Sequence, residues 1–255
     1  MRVVLVQPPR WSPDGHENFD TVEEILAGFR TEAEDVVLLP ELVGADLPGR
    51  EYLARVRGLA ARLGACVVGG SHYEPTPEGK VNRGVVVEAG AGVVLEYDKL
   101  NPYGVERRRG VLPGRGEGVF EVYGRRFHVL LCADLWYSEL LARSEATDVV
   151  LVPAFSVTQW PTPDPARALW QHMCVARAYE FTAYVAVSDW HHASTYDGQP
   201  CAGVTGFADP YPARPGGYFT ARPGHPVSAH RLDFDRLDSF RLNRAQRGFN
   251  ARPTG

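Results

Sequence analysis

The strongest constraint on this chain is the stretch from Phe127 to Pro153. Phe127-His128-Val129-Leu130-Leu131 is an apolar run, Cys132-Ala133-Asp134-Leu135-Trp136-Tyr137-Ser138-Glu139 starts a short helical segment, and Asp148-Val149-Val150-Leu151-Val152-Pro153 is a second apolar run closed by proline. Short, continuous apolar runs of this kind read as strands buried on both faces, and a helix between them gives a strand–helix–strand unit. The unit puts one thiol, Cys132, where a core strand stops and a helix begins. Free backbone N–H groups and the positive end of the helix favour a thiolate or an oxyanion there. The same position also suits an inert, small, apolar cysteine, so the stretch alone leaves both readings open.

Composition bounds what surrounds this unit. The chain has 255 residues, 44% hydrophobic and 23% charged, which is ordinary for a globular protein. No linker, low-complexity tract or repeat divides it, so one domain over residues 1–255 is expected. With 27 basic and 31 acidic residues the net charge is −4, which argues against a nucleic-acid partner; the run Arg107-Arg108-Arg109 is too short to change that. Cys66, Cys132, Cys174 and Cys201 show no C-x-x-C spacing, so neither a zinc ribbon, a redox dithiol nor a disulfide framework is signalled, and reduced cytoplasmic thiols are the simplest account. Met1 to Pro8 is too quickly interrupted for a signal peptide and reads as a first core strand. No stretch approaches the length of an apolar membrane span.

Taken in order, the chain alternates strands and helices. Strands are expected at Val3 to Val6 and Val36 to Leu39, the second ending in Pro40-Glu41-Leu42. Helical spacing runs from Phe19 to Phe29 and from Tyr52 to Leu63, with Gly64 as C-cap. Cys66 to Ser71 reads as a strand and Pro75 to Lys80 as a polar turn. Gly84 to Glu88 and Val93 to Tyr97 then form a hairpin that delivers Lys99 just past a strand end. Asn101 to Glu117, rich in Gly, Pro and Arg, reads as a surface loop. A second hairpin, Val119 to Val122 with Arg126 to Leu131, leads into the cysteine. Asp164-Pro165 reads as N-cap and N1 of a helix reaching Phe181. Strands at Tyr184 to Ser188, Gly203 to Pro210 and Val227 to Phe234 follow, and the tail beyond Asn243 has no apolar period, being loose or ordered against a partner. Helices over strands in this mixed order point to an α/β or α+β layered fold.

Three strand ends thus carry reactive groups: Leu38-Leu39-Pro40-Glu41, Tyr97-Asp98-Lys99 and Leu130-Leu131-Cys132-Ala133-Asp134. In that order they resemble the Glu–Lys–Cys set of the nitrilase superfamily, the carbon–nitrogen hydrolases, in its amidase- and carbamoylase-like branch. Asn82-Arg83-Gly84-Val85 is similar to that family's Asn-led strand, Cys132-x-Asp134 with Glu139 to its cysteine box, Arg177-Ala178-x-Glu180 to its Arg-Ala-x-Glu helix, and Gly203 to Pro210 to its closing strand and Asp-Pro turn. The resemblance spans roughly Val3 to Pro210.

It implies an α-β-β-α sandwich and a hydrolase of a non-peptide C–N bond in a small linear amide or N-carbamoyl compound. Ammonia would leave through a thioester intermediate, without cofactor or metal. In that chemistry Cys132 is the nucleophile, Glu41 the general base, and Lys99 with the backbone N–H of Ala133 the oxyanion partners. Glu106 matches a second family glutamate that positions Lys99 or substrate; its other reading is a surface-loop carboxylate. Trp136, Tyr137, Phe155 and Trp160 follow strand ends and are candidate pocket walls. Asp134 and Glu139 are expected to anchor the helix after Cys132, and Arg177 to pair with Glu180. His191-His192 invites a metal reading, but no further ligands appear at suitable spacing, and a pocket rim suits them better. A homodimer, built through helices near the cysteine box, or a higher homo-oligomer is also implied.

Departures keep alternatives open. Asn101 stands where the family often has histidine, Ser138 where it usually has proline, and Cys132-Ala133-Asp134 differs from the Cys-Trp-Glu of true nitrilases. A nitrilase acting on a nitrile, and a catalytically silent relative with a binding role, therefore remain beside the amidase reading.

Overall fold

The computed structural model describes residues 1–144 and 146–249. In chain order the elements are β1 (Arg2–Val6), α1 (Gly15–Leu26), β2 (Asp35–Leu38), α2 (Gly49–Leu63), β3 (Cys66–Val68), β4 (His72–Thr76), β5 (Gly79–Glu88), β6 (Gly92–Asp98), α3 (Val105–Arg108), β7 (Val119–Val122) and β8 (Arg125–Val129). A 3₁₀ turn over Cys132–Trp136 leads to α4 (Ser138–Arg143), β9 (Val149–Pro153), α5 (Asp164–Phe181), β10 (Tyr184–Ser188), β11 (Thr195–Tyr196), β12 (Gln199–Pro200), β13 (Gly206–Ala208), β14 (Phe219–Thr220), β15 (Val227–Arg231) and α6 (Phe234–Gln246).

The strands build two main sheets. One is seven-stranded in the order β15-β1-β2-β3-β5-β4, with β6 also paired to β5; the other is six-stranded in the order β14-β13-β10-β9-β8-β7. The centre of each is parallel, β1 with β2 and β3 in the first and β8 with β9 and β10 in the second. Alternation along β1 assigns the layers. Val3 and Leu5 pack with Phe127, Val129, Leu151 and Ala186 in the seam between the sheets, while Val4 and Val6 face Phe19, Val22, Val56 and Leu59 of α1 and α2. On the far side Val150, Val152 and Val185 meet Trp170, Cys174 and Ala178 of α5. The fold is an α-β-β-α sandwich, and strands buried on both faces explain the unbroken apolar runs.

The local differences from the sequence reading have physical causes. α1 begins at Gly15, ahead of the apolar stripe, because Asp14 caps it by accepting from the His16 N–H. Asp164 is the first helical residue of α5 and not its cap; its carboxylate instead pairs with Arg167 at 2.9 Å. The expected polar turn at Pro75 to Lys80 falls largely within β4 and β5, a hairpin whose polar residues lie at a sheet edge. The last strand stops at Arg231, and the polar stretch after it forms α6, into which the expected tail partly falls; residues 250–255 lie outside the described residues. α6 escaped notice because Leu237 and Phe240 are followed on its buried face by Arg244, whose guanidinium lies 4.4 Å from the Tyr179 ring centroid.

Candidate active site

Glu41, Lys99 and Cys132 converge from both sheets. Glu41 follows β2, and its segment is fixed from below: the Leu42 N–H donates to Ser71 Oγ at 2.9 Å, and the Trp190 indole N–H donates to the Glu41 carbonyl at 2.8 Å. Gly70 permits this approach. It has φ +67°, and a Cβ there would lie 2.1 Å from the Pro40 carbonyl oxygen. Lys99 follows β6, with its N–H donated to the Asn82 carbonyl at 2.8 Å. Cys132 opens the 3₁₀ turn after β8 with φ +49°, a left-handed conformation that costs energy for any residue but glycine and gathers at functional positions.

The side chains form one buried cluster. Lys99 Nζ lies 2.7 Å from Glu41 Oε1 and 2.5 Å from Glu106 Oε2. Asn82 spends both amide hydrogens on the same two carboxylates, donating to Glu41 Oε1 at 2.9 Å and to Glu106 Oε1 at 2.8 Å. Glu41 Oε2 accepts from the Phe155 N–H at 3.1 Å, and the Glu41 carboxylate also meets the Cys132 thiol. The thiol further contacts the Phe155 carbonyl at 3.7 Å. Oε1 of Glu41 thus accepts from two donors, Asn82 and Lys99, and Oε2 from one, the Phe155 N–H.

Burial dominates the electrostatics. It pushes Glu41 up to about 7, a rise opposed by Lys99 and assisted by Glu106. Burial also raises the Cys132 thiol well above its ordinary value, with the Glu41 charge adding to the rise and Lys99 opposing it. For Lys99 burial works against the charge, but Glu106 and Glu41 outweigh it and hold the ammonium well above its ordinary range. A neutral thiol beside a carboxylate that titrates near 7 suits proton transfer during attack, with no standing thiolate required.

Two expectations need correction. The segment from Asn101 to Glu117 is not simply a surface loop: it contains α3, on which Val105 and Glu106 are buried. Asp134 does not cap the helix after Cys132. Its Oδ1 accepts from the Asn101 N–H and the Asn101 side-chain amide, both at 2.8 Å, and its Oδ2 accepts from the Leu100 N–H at 3.0 Å. The cysteine turn is thereby tied to the lysine segment, and Asn101 has a partner where the family often has histidine. Glu139 lies exposed in the first turn of α4. Arg177 pairs with Glu180 at 3.0 Å and also donates to the Leu135 and Trp136 carbonyls, both at 3.1 Å, holding the 3₁₀ turn from beneath.

A cavity of about 530 Å³ opens over the cluster, and Ala133, Trp136, Tyr137, Phe155 and Trp160 all line it. Tyr103, Trp170 and Tyr196 line it as well and were not singled out; Trp170 carried a usable signal, since it shares the face of α5 that holds Ala166 and Cys174. His191 and His192 meet with ring centroids 3.9 Å apart and planes tilted by 41°, and the His191 N–H donates to the Pro8 carbonyl. Among the described residues no group of three or more His, Cys, Asp or Glu side chains is arranged to hold a metal ion.

Comparison with known proteins places these features among relatives. The sequence model of the carbon-nitrogen hydrolase family matches residues 2–192. The chain is 30% identical over 197 residues to an omega-amidase, YafV, of Yersinia enterocolitica, with 73% of each protein covered. It is 31% identical over 196 residues to the Escherichia coli BL21-DE3 protein of that name, again with 73% of each covered, and 26% identical over 244 residues to the hydrolase Rv0480c of Mycobacterium tuberculosis, covering 88% of this chain and 85% of the relative. In fold it resembles XC1258 of Xanthomonas campestris, a CN-hydrolase superfamily protein, with TM-score 0.79, 22% identity and coverage of 100% and 99%. It also resembles Nit3 of Saccharomyces cerevisiae, a nitrilase superfamily member, with TM-score 0.76, 19% identity and coverage of 95% and 93%.

Proposed function

From the premise that the chain belongs to the carbon-nitrogen hydrolase family, an enzyme family, we propose that it is a cysteine-dependent amidase, hydrolysing a primary amide of a small molecule to the acid and ammonia. One observation carries the reading. A buried carboxylate, an ammonium and a thiol meet at the floor of a cavity, with the carboxylate poised near 7 and in contact with the thiol.

In the proposed reaction Glu41 Oε2 takes the Cys132 proton as Sγ attacks the amide carbonyl carbon. Lys99 has committed two of its N–H bonds to Glu41 and Glu106, so its third remains for the developing oxyanion, together with the N–H of Ala133. The tetrahedral intermediate collapses as the C–N bond breaks, and Glu41 returns its proton to the departing nitrogen. Water, deprotonated by Glu41, then attacks the thioester and frees the acid and the thiol. Glu106 and Asn82 act through others, Glu106 by fixing Lys99 and Asn82 by fixing both carboxylates. The homology to omega-amidases supports amide over nitrile chemistry, and an N-carbamoyl group, which presents a similar carbonyl and leaving nitrogen, is the second substrate form to screen.

Ammonia release from a panel of primary amides, N-carbamoyl compounds and nitriles tests the reading. Cys132→Ala and Glu41→Gln are each expected to lower turnover by at least about a thousandfold while retaining a cooperative melt. Full turnover in Cys132→Ala would exclude the mechanism. A homodimer belongs to the same proposal, supported by Tyr179 on α5 and Leu242 on α6, which are large, apolar and exposed. Light scattering should give twice the 28.1 kDa chain mass, and a monomer at working concentration would refute it.

A further inference from the structure

The cavity is rich in aromatic rings and poor in unpaired charge. Glu41, Lys99 and Glu106, at its floor, bind one another, and the remaining charged side chain that lines it is Arg108, at the outer edge, 3.5 Å from Asp197. Above the floor Ser156, Thr158, Gln159 and Gln199 supply the neutral polar lining and paired aromatic rings the bulk of the wall: Trp136 meets Trp170 edge-on at 5.3 Å, and Phe155 meets Tyr196 at 5.5 Å.

The mouth continues this surface into solvent. Tyr103, Tyr137, Trp160 and Leu169 all line the cavity and are 70%, 39%, 60% and 52% exposed. They come from separate segments, the turn before α3, the junction before α4, the loop before α5 and α5 itself, so no single loop accounts for the collar. Large apolar side chains left open together, and continuous with a recess that ends on a thiol, form surface that a ligand's apolar part would cover.

Size and charge agree with this. A volume of about 530 Å³ lies in the range of pockets that enclose drug-sized ligands and exceeds what a short-chain amide fills. A carboxylate on the acyl chain would be stripped of water against the aromatic rings, and the two guanidiniums near it, Arg108 of the lining and Arg109, which donates to the Tyr196 hydroxyl at 3.2 Å, are both already shared with Asp197. We propose that the site selects primary amides with a neutral, bulky, apolar acyl group, aryl-alkyl or medium-chain alkyl, over amides that carry a second carboxylate. The collar is the seat of that acyl group. This deepens the amidase reading and rests on it.

Two measurements separate the failure of one from the failure of the other. The first is kcat/KM for ammonia release from 3-phenylpropanamide and hexanamide against succinamate and 4-carbamoylbutanoate. The neutral amides are expected to lead by about tenfold or more, and Trp160→Ala to lower the ratio for 3-phenylpropanamide over propanamide by about fivefold. The second is calorimetric binding of 3-phenylpropanamide and 4-carbamoylbutanoate to Cys132→Ala, or to Cys132→Ser if the alanine variant fails to fold. The neutral amide is expected to bind more tightly. Preference for the carboxylate-bearing amides in either measurement would overturn the substrate class and leave the hydrolase reading intact. Selective binding of the neutral amide without turnover by the unmodified enzyme would uphold the class and overturn the hydrolase reading. If Trp160→Ala changed the molecular mass in solution while leaving the selectivity ratio unmoved, the collar would be an interface between copies and the proposal would fall.

Discussion

Glu41 sits where three influences compete: burial raises its pKa, Lys99 lowers it and Glu106 raises it again, with a result of about 7. A general base must be unprotonated, so kcat/KM is expected to fall on the acid side of about 7, roughly tenfold per pH unit well below it. Glu106→Gln removes a negative neighbour that favours the protonated form. The acid limb should therefore move to lower pH, even though the rate falls because Lys99 loses a partner. A limb that stays fixed or moves upward would show that the titrating group is not Glu41, or that Glu106 does not act on it. At this scale the sequence was informative where a residue is placed by its own strand. Glu41, Lys99 and Cys132 stood out at strand ends, but it was the resemblance of the ordered set to the Glu–Lys–Cys pattern of the family, and not position alone, that singled them out. The bridge from Asn82 to Glu41 was not legible, since it joins residues 41 positions apart through the pairing of strands no local pattern specifies.

The elements matter through the joints between them. Asp134 in the 3₁₀ turn holds the segment after β6 by three hydrogen bonds, and that segment carries Lys99. Asp134→Asn keeps the shape but turns an amide N–H₂ toward one of the donor groups, leaving at least one buried donor without an acceptor. The loss should be about 1–3 kcal/mol of unfolding free energy, read from denaturant titration. Turnover should fall further than stability alone explains, because Lys99 then shifts relative to Cys132. Asn101→Ala removes only the side-chain bond to Oδ1 and should cost less on both measures. If Asp134→Asn left kcat unchanged, the coupling of the two segments would not be part of the site. The core strands and helices α1, α2 and α5 were recognisable at this scale from period and caps, while the short strands β4, β11, β12 and β14 were not. α3 and α6 were not, for opposite reasons. α3 spans four residues within a Gly- and Arg-rich stretch, and α6 buries an arginine where its stripe calls for an apolar side chain.

Across the whole molecule the two sheets divide the chemistry between them. Glu41, Asn82 and Lys99 come from the seven-stranded sheet, whereas Cys132 and Phe155 follow strands of the six-stranded one. The seam that fixes one sheet against the other, built from Leu5, Leu38, Phe127, Leu151 and their neighbours, therefore also sets the distance from base to nucleophile. Phe19, on α1, packs instead on the outer face of the first sheet. Phe127 in the seam and Phe19 on the inner face of α1 are both fully buried. Truncating either to alanine should cost about 3–5 kcal/mol in unfolding free energy. The gentler changes Phe127→Leu and Phe19→Leu should each cost less, with both proteins folded at 25 °C. Activity then separates the two positions. Phe127→Leu is expected to lower kcat several-fold at a temperature far below its melt, because a fractional-ångström shift between the sheets reaches Glu41 and Cys132 directly. Phe19→Leu, matched for stability loss, should keep near-normal kcat. Equal kcat in the two variants would mean that the hydrogen bonds of the floor, such as that from the Phe155 N–H to Glu41, hold the geometry without help from the seam.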